Sequence, residues 1–322
     1  MKKIPYGVRN ILMYRQSIII VVLFLSALAV VYPVLNKNAN ETQAASEQEA
    51  SIDYKRAVSY RELMGELEKR AAKFHGEAGI LVKDLKTHQT LGINSSKLFP
   101  SASLVKVPIM AALYAAEQEG KLKLTDELVL ERKEKVKSSS KIFRARNGTK
   151  FQISYLIELM ITQSDNTAAN MLVDALGFGY LNQKFVEFGM KNTDLRRGIM
   201  DLKWRRAGIE NYTTAEDMAM ILEKIYNGEL VSKEASAGML ATLKRQKVND
   251  RLPKGLPVNM VVAHKTGLLN DTVSDVGIIF TDEGDFIICV LTADIHNFRT
   301  AKRFIGKIAN CTYDKCYRKL SL

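Results

Sequence analysis

Three short motifs in this 322-residue sequence contain the hydroxyl, amine and amide side chains that serine chemistry uses. In chain order they are Ser103-Leu104-Val105-Lys106, Ser164-Asp165-Asn166 and Lys265-Thr266-Gly267. A serine nucleophile needs a base for its proton, a proton route to the leaving nitrogen, and a cation that holds a substrate carboxylate. The motifs supply a candidate for each need, so we expect them to meet in one acyl-transfer site.

Ser103 and Lys106 are the candidate nucleophile and base. At positions i and i+3 of a helix they share one face, so the Lys106 amine can take the hydroxyl proton. A helix N-terminus also supplies backbone N–H groups that suit a developing oxyanion. A second S-x-x-K at Ser138 to Lys141 lies in a polar, basic stretch, whereas Ser103 precedes the run VPIMAALYAA, which is typical of a buried central helix. We therefore predict Ser103 as the nucleophile.

The other two motifs supply the proton relay and the substrate contacts. Ser164 ends a predicted helix and Lys265 ends a predicted strand, positions from which a scaffold can aim side chains into a cleft. We expect Ser164 to relay the proton, with Lys265 setting its charge environment. Lys265 and Thr266 would hold the substrate carboxylate, and Asn166 would bind an amide. Taken singly, each motif has an ordinary alternative as a helix cap, a turn or an exposed strand end.

The elements around the motifs predict a domain that mixes helices and strands. The segment GILVKDLKTHQTLGI indicates a β-hairpin, preceded by a helix from Tyr54 to Phe74. The middle is helical, since FQISYLIELMITQ repeats apolar residues at i, i+3, i+4 and i+7. Short apolar strands ending in FIICVLTA follow, and a basic amphipathic helix begins near Asn297. Because separate strand pairs would leave unpaired edges, we expect one antiparallel sheet built from both chain ends, with helices on its faces and an inserted helical lobe.

Composition and charge favour a globular protein that does not bind nucleic acid. Hydrophobic residues make up 47% of the chain and charged residues 25%, which is enough for a sizeable core. The net charge of +12 is concentrated near the termini and in residues 132–150, without a nucleic-acid-binding motif. Solvated faces and attraction to anionic lipid or wall polymer explain these runs, so we expect no nucleic-acid partner.

The N-terminal segment predicts a membrane anchor, a single transmembrane helix. Residues 17–35 carry no charge and approach the length that crosses a bilayer. The basic, acid-free residues 1–16 would be cytoplasmic, which places the rest of the chain outside. A cleaved signal peptide is the alternative, because Ala27-Leu28-Ala29 resembles a cleavage site. Residues 36–51 would form a polar linker and residues 52–322 one hydrolase domain, which we expect to be monomeric.

The sequence indicates neither a metal site nor a cofactor site. The three cysteines, Cys289, Cys311 and Cys316, lack a metal-ligand spacing. Cys311 and Cys316 could pair in an oxidising compartment, which the sequence leaves open. The four histidines are scattered, and there is no glycine-rich phosphate loop. We therefore expect catalysis by side chains and backbone groups alone.

The chain resembles the penicillin-recognising serine hydrolases, and among them the class A β-lactamases. FPSASLVKVPIMAAL, MITQSDNTAANMLV, NYTTAEDMAMIL and VVAHKTG occur in the family's order, over roughly Ile52 to Ala309. The resemblance implies a five-stranded antiparallel sheet flanked by helices, with the site between the sheet and a helical lobe. It also implies an oxyanion hole from the backbone N–H groups of Ser103 and Leu268, with Gly267 beside the substrate. The expected activity is the opening of a β-lactam ring through a Ser103 acyl-enzyme.

One departure from the family concerns release of the acyl group. Class A enzymes carry a glutamate on the loop before the TT segment, and it activates the hydrolytic water. This chain reads LRRGIMDLKWRRAGIENYTT there, without the family's pattern. Asp201 is the nearest candidate base, with Glu210 behind it, although Asp201 could equally be a salt-bridge partner of the neighbouring arginines. Acylation is thus better supported than turnover.

Other activities share this acylation chemistry. A D-alanyl-D-alanine peptidase or related peptidoglycan amide hydrolase would bind a stem peptide and would suit an anchored enzyme beside the wall. A sensor that stays acylated would follow from loss of the water-activating carboxylate. A serine-type glutaminase shares S-x-x-K, but the S-D-N and K-T-G motifs argue against it.

Overall fold

The computed structural model describes residues 36–37, 58–137 and 141–318. The chain divides into two units, Met1–Ser59 and Tyr60–Leu322, and the fold described below concerns the second. The predicted anchor at residues 17–35 lies outside the described residues. Within the described ranges, no helix is both long enough and apolar enough to cross a membrane.

Nine strands and eight helices make up the described fold. The strands are β1 (Glu77–Asp84), β2 (Thr90–Ile93), β3 (Phe99–Pro100), β4 (Glu127–Val129), β5 (Lys150–Gln152), β6 (Tyr212–Thr213), β7 (Val262–Leu269), β8 (Thr272–Ile279) and β9 (Phe286–Ala293). The helices are α1 (58–72), α2 (Lys106–Gln118), α3 (Ile153–Thr162), α4 (Asn166–Glu187), α5 (Leu202–Arg206), α6 (Ala215–Asn227), α7 (Lys233–Lys244) and α8 (Phe298–Cys316). Gly177 interrupts α4 with a φ of +76°, a backbone conformation that glycine adopts without strain.

Five of the strands form one antiparallel sheet in the order β2-β1-β9-β8-β7. β1 pairs with β9 along its whole length, from Glu77↔Ala293 to Asp84↔Phe286. The N-terminal hairpin and the C-terminal strands therefore belong to the same sheet, which confirms the prediction from the sequence. The expected five strands with flanking helices are confirmed as well.

The sheet separates two layers of helices, and this explains why β9 reads as an unbroken apolar run. Side chains of successive strand residues point to opposite faces. Ile287, Cys289 and Leu291 enter the core that holds α2, α3, α4, α6 and α7. Their neighbours Phe286, Ile288 and Val290 enter a second core that holds α1 and α8. Both faces of β9 are thus covered, so neither needs polar residues.

Helix α2 lies inside the first core and is buried on nearly all sides. This confirms the central helix that its apolar sequence predicted. Two details of the motif positions differ from the prediction. Ser103 precedes α2 in a 3-10 turn, Ala102–Val105, because α2 itself begins at Lys106. Lys265 lies in the middle of β7, since pairing with β8 continues to Leu269↔Thr272.

The two ends of the described domain meet at a buried aspartate. The Tyr60 hydroxyl in α1 donates to Asp84 Oδ2 at 2.5 Å, and the Tyr317 hydroxyl after α8 donates to the same oxygen at 3.1 Å. The two hydroxyl oxygens are 2.9 Å apart. Cys311 and Cys316, in the last turns of α8, are both thiols, so the possible disulfide between them is not formed.

Candidate active site

Ser103 stands where a strained turn meets the core. Its neighbours Leu104 and Val105 are fully buried, while Ser103 itself is half-buried. Ala102 has a φ of +48°, a left-handed conformation that is costly for a residue with a Cβ and that clusters at functional sites. The alternative of Ser103 as a helix cap is wrong, because Ser101 occupies the N-cap position of the 3-10 turn.

Lys106 is a fully buried amine surrounded by hydrogen-bond acceptors. Nζ donates to Asn166 Oδ1 at 2.7 Å and to the Ser164 carbonyl at 2.9 Å, and it lies 3.3 Å from Ser164 Oγ. Burial lowers the pKa of Lys106 to about 7, against the opposing charge of Asp165. A neutral amine can donate two hydrogens to the carbonyl oxygens and keep its lone pair for a proton.

Ser164 occupies a tight turn between α3 and α4 with a φ of +56°. The turn is closed by Asp165, whose N–H donates to the Leu159 carbonyl and whose carboxylate caps α4 at the Ala168 N–H, 2.9 Å away. Ser164 Oγ lies 3.3 Å from Lys106 Nζ and accepts from Lys265 Nζ at 3.0 Å. The motif is therefore both a turn with a cap and the link between two lysines.

Lys265 is also fully buried, so the alternative of an exposed lysine at a strand end is wrong. Its Nζ donates to Ser164 Oγ at 3.0 Å and to the Thr266 carbonyl at 2.9 Å. The pKa of Lys265 lies well below its ordinary value, because of burial first and then of the charges of Lys106 and Arg251. Two buried amines that share one hydroxyl titrate as a coupled pair and resist being charged together.

The opposite face of β7 is held by a buried histidine. His264 Nδ1 lies 2.9 Å from Asp275 Oδ1, and Nε2 lies 3.0 Å from Asn249 Oδ1. His264 therefore faces away from Lys265, as alternation along a strand predicts. Asp275 also accepts the Leu252 N–H at 3.1 Å. These contacts fix the register and orientation of the strand that presents Lys265.

Gly267 brings β7 against the turn that carries Ser103. A Cβ at Gly267 would lie 3.2 Å from Ala102 Cβ and 3.3 Å from Leu104 Cγ, so only glycine allows this approach without a shift. β7 is an edge strand of the sheet. Leu268, half-exposed, follows directly, while Thr266 is buried beside Lys265. The structure thus places the predicted substrate-binding residues of β7 at the edge nearest Ser103.

Asp201 caps a short helix in the loop of residues 194–213. Its carboxylate accepts the N–H groups of Lys203 at 3.2 Å and Trp204 at 3.3 Å, at the start of α5. Asp201 lines a surface pocket with Asn170, Ile199 and Trp204. Its contacts are those of a cap, and its role as a water-activating base stays a prediction.

Glu210 is buried between two arginines of the same loop. Oε1 accepts from Arg197 Nη2 at 2.5 Å, and Oε2 accepts from Arg205 Nε at 2.6 Å. Arg205 Nη2 also donates to both carboxylate oxygens of Asp271, at 2.8 and 2.9 Å, in the turn between β7 and β8. These pairs make Glu210 a structural ion-pair partner, so it is not available as the reserve base that the sequence suggested.

Asn170 is a site residue that the sequence analysis missed. Its Oδ1 accepts the Ile199 N–H at 3.0 Å, and its Nδ2 donates to the Ile199 carbonyl at 3.3 Å. Asn170 lies four residues after Asn166 on α4, so both side chains share one helix face. The loop is therefore held at Ile199, one helical turn from the contact between Asn166 and Lys106. The signal was present in SDNTAAN, where two asparagines are spaced i, i+4.

The residues brought together can form an ester on a serine. A half-buried hydroxyl, two buried amines of lowered pKa and a bridging hydroxyl supply a nucleophile, a base and a proton route. Within the described ranges, no group of histidine, cysteine or carboxylate side chains is arranged to hold a metal ion. Ser138, the competing serine, lies outside the described residues.

Known proteins resemble this chain in sequence and in fold. A family model described as "Beta-lactamase enzyme family" matches residues 62–316. Two curated relatives come from Pseudomonas aeruginosa. Beta-lactamase VEB-1 is 25% identical over 252 residues, which cover 73% of this chain and 84% of VEB-1. Extended-spectrum beta-lactamase PER-1 is 24% identical over 247 residues, which cover 72% of this chain and 80% of PER-1.

Solved structures give the same match in three dimensions. The beta-lactamase from Sphaerobacter thermophilus DSM 20745 superposes with a TM-score of 0.73 at 28% identity and covers 79% of this chain and 96% of its own. A mutant of PBP-A, solved as an acyl-enzyme complex with penicillin G, superposes with a TM-score of 0.74 at 28% identity and the same two coverages. The central sheet and its two helical layers are thus shared with both proteins.

Proposed function

The chain belongs to the beta-lactamase enzyme family and to its class A group, and on that basis we propose that it opens β-lactam rings through an acyl-enzyme on Ser103. It is a serine β-lactamase-like hydrolase, as the sequence predicted. The observation that carries the proposal is the buried Lys106 amine, whose pKa of about 7 leaves it partly neutral one turn after Ser103. A lysine whose pKa is lowered by burial, next to a candidate nucleophile, is typical of catalytic sites.

Acylation begins with transfer of the Ser103 hydroxyl proton to neutral Lys106 as Oγ attacks the ring carbonyl. The carbonyl oxygen becomes an oxyanion, held by the backbone N–H groups of Ser103 and Leu268. The carbon–nitrogen bond of the ring then breaks. The leaving nitrogen receives its proton through Ser164, which contacts both Lys106 and Lys265. The product is an ester between Ser103 and the opened ring, with Lys106 neutral again.

The substrate is held by polar groups on both sides of Ser103. Lys265 and Thr266, together with the adjoining Gly267, bind the carboxylate that β-lactams carry next to the ring nitrogen. Asn166 binds the side-chain amide of the substrate. Support comes from their positions, since Asn166 contacts Lys106 and Lys265 contacts Ser164. A small β-lactam therefore bridges the start of α4 and the edge of β7.

A second candidate function keeps the acylation and lacks fast release. It is favoured by the loop of residues 194–213, where Asp201 caps α5 and Glu210 is paired with two arginines. Hydrolysis of the ester requires a group that takes a proton from water. With these carboxylates committed, the chain would act as a sensor that stays acylated. A D-alanyl-D-alanine peptidase on peptidoglycan stem peptides shares the same acylation and would need Lys106 to take the proton from the water that releases its ester. A mutant of PBP-A, one of its structural relatives, was solved as an acyl-enzyme complex with penicillin G.

We also propose that the catalytic domain works outside the cytoplasm, held at the membrane by one N-terminal helix. Support comes from the sequence of residues 17–35, which has the length and composition of a transmembrane helix, and from the basic residues before it. The enzyme would act there as a monomer.

Intact-mass measurement after mixing the full-length chain with a chromogenic β-lactam separates these functions. Rapid loss of the added mass with many turnovers supports the hydrolase. An adduct that persists for hours supports the peptidase or the sensor, and release of D-alanine from a stem peptide then identifies the peptidase. Absence of any adduct at Ser103 would overturn the proposed acylation.

A further inference from the structure

The N-terminal half of α8 carries a row of cations that the proposed acylation does not use. Arg299, Arg303 and Lys307 recur every fourth residue, so they lie along one side of the helix. At a rise of 1.5 Å per residue, successive members are displaced by about 6 Å along the axis. Lys254, from the neighbouring 3-10 turn Pro253–Gly255, faces the same groove. We call these four side chains the α8 cation row.

The groove beside the row is preformed. Its volume is about 710 Å³, and it lies between α8 and the turn Pro253–Gly255. Gly255 and Gly306 are packed backbone to backbone, because a Cβ on Gly255 would lie 1.9 Å from the Gly306 carbonyl oxygen. The two walls of the groove are therefore in direct backbone contact. The groove therefore offers a fixed concave surface on the sheet face opposite α2, away from Ser103.

The charges of the row are not neutralised by the protein. Within the described residues, none of its four members has a carboxylate within ion-pair distance, and all four are exposed. The one acid in the groove, Asp250, is paired with Lys302 at 2.6 Å. Farther along α8, Lys315 pairs with Glu62 and Arg318 pairs with Asp314. Within α8, the cations without an ion pair are thus those of the row, although like charges at i, i+4 destabilise a helix.

We propose that this groove binds a linear anionic polymer whose backbone carries phosphodiester groups. Repeating phosphates match a row of cations at regular spacing, and the two arginines can each bind a phosphate through two N–H groups. Single-stranded nucleic acid is disfavoured because Phe298 is the single aromatic side chain lining the groove, and unpaired bases need several stacking partners. Binding to the polymer would keep the enzyme near its substrate and would leave the cleft at Ser103 open.

Salt dependence of binding tests this proposal on the full-length chain, with soluble poly(glycerol phosphate) as the probe. Each cation that neutralises a phosphate adds about 0.7 to the slope of log K against log salt for a flexible chain. The variant Lys254→Gln/Arg299→Gln/Arg303→Gln/Lys307→Gln should therefore lose at least about 30-fold in affinity at low salt. Its slope should be smaller by about 3.

A matched variant removes four exposed cations elsewhere, Lys69, Lys97, Lys121 and Lys150, each paired with a glutamate. It has the same net charge and should keep its affinity within about threefold, since long-range attraction alone is screened by salt. Equal losses of affinity in both variants would show that overall charge, and not the groove, determines binding.

Binding to phosphatidylglycerol vesicles without binding to the polymer would assign the α8 cation row to lipid headgroups and would contradict the proposed polymer ligand. Equal binding of polyglutamate would overturn recognition of phosphate. Labelling of Ser103 by penicillin must stay unchanged, which keeps this test separate from the proposed acylation.

Discussion

Two regions of the molecule use ionisable side chains in opposite ways. The first is the acylation group, Ser103, Lys106, Ser164 and Lys265, which serves formation of the ester. The second is the loop of residues 194–213, which serves its hydrolysis. In the first group, buried amines of lowered pKa share one hydroxyl, so protons can move among them. In the loop, Glu210 is fixed by ion pairs and Asp201 by backbone N–H groups. The arrangement of side chains therefore supports formation of the ester on Ser103 more strongly than hydrolysis of that ester.

The comparison depends first on the identity of the nucleophile. Ser103→Ala removes the oxygen that forms the ester, so covalent labelling by a fluorescent penicillin should be lost completely. Labelling is read by in-gel fluorescence and by intact mass. Ser138→Ala is the matched control, since it alters the other S-x-x-K, and it should label at the wild-type rate. The reverse pattern would show that the wrong serine was chosen.

The base of the acylation group should have the next largest effect. Lys106→Met keeps a long side chain in the buried position and removes the amine, so the acylation rate constant should fall by about 10³-fold. Stopped-flow measurement with a chromogenic β-lactam gives this rate constant. Lys150→Met, at an exposed lysine, should change it by less than about twofold. A loss below about tenfold in Lys106→Met would assign the base to another group.

The loop can be tested by adding a carboxylate at a second position. Ile199 is buried and is held by Asn170, which lies one helical turn after Asn166, the residue that contacts Lys106. Ile199→Glu should shorten the lifetime of the acyl-enzyme by about 10²-fold, because a carboxylate there can take a proton from water. Ile199→Gln, with the same shape and no base, should leave the lifetime unchanged. An equal effect of both variants would mean that altered packing, and not proton transfer, controls release.

The pH profile of acylation reports the state of Lys106. Because its pKa is lowered to about 7 and the neutral amine is the base, the acylation rate constant should rise with pH through 7 and level off above. Between pH 6 and pH 8 the rise should be about tenfold. Rates measured in Lys106→Met should lose this dependence. A wild-type profile that is flat from pH 5.5 to 8.5 would contradict the role of a titrating amine.

Asp201 should give the smallest effect. Asparagine caps helices as well as aspartate does, so Asp201→Asn should leave thermal stability unchanged and the labelling rate intact. The lifetime of the acyl-enzyme should change by less than about threefold if the side chain is only a cap. A lifetime at least tenfold longer would instead establish Asp201 as the general base, and the contrast between the two regions would disappear.

Local patterns in the sequence were enough to predict the sheet, the buried central helix and the meeting of the three motifs. FIICVLTA forms β9 over its whole length, Phe286–Ala293, because an apolar run of that length between turn residues has few other structures. The positions of Ser103 in a 3-10 turn and of Lys265 within a strand were not predictable, since strand pairing with β8 and the left-handed Ala102 decide them. The pair of Asn170 with Ile199 and that of Glu210 with Arg197 join parts of the chain that only the tertiary fold brings together.

The contact of Tyr60 and Tyr317 at Asp84 also bears on how the chain can be cut and rejoined. Because Tyr60 near the start of α1 and Tyr317 just after α8 contact the same buried carboxylate, a short linker could connect Tyr60 and Tyr317 without crossing the molecule. New termini could then open in the exposed turn between β8 and β9, where Asp282 and Glu283 face solvent. Such a circular permutant would begin with β9 and α8 and would still read Ser103, Ser164 and Lys265 in order.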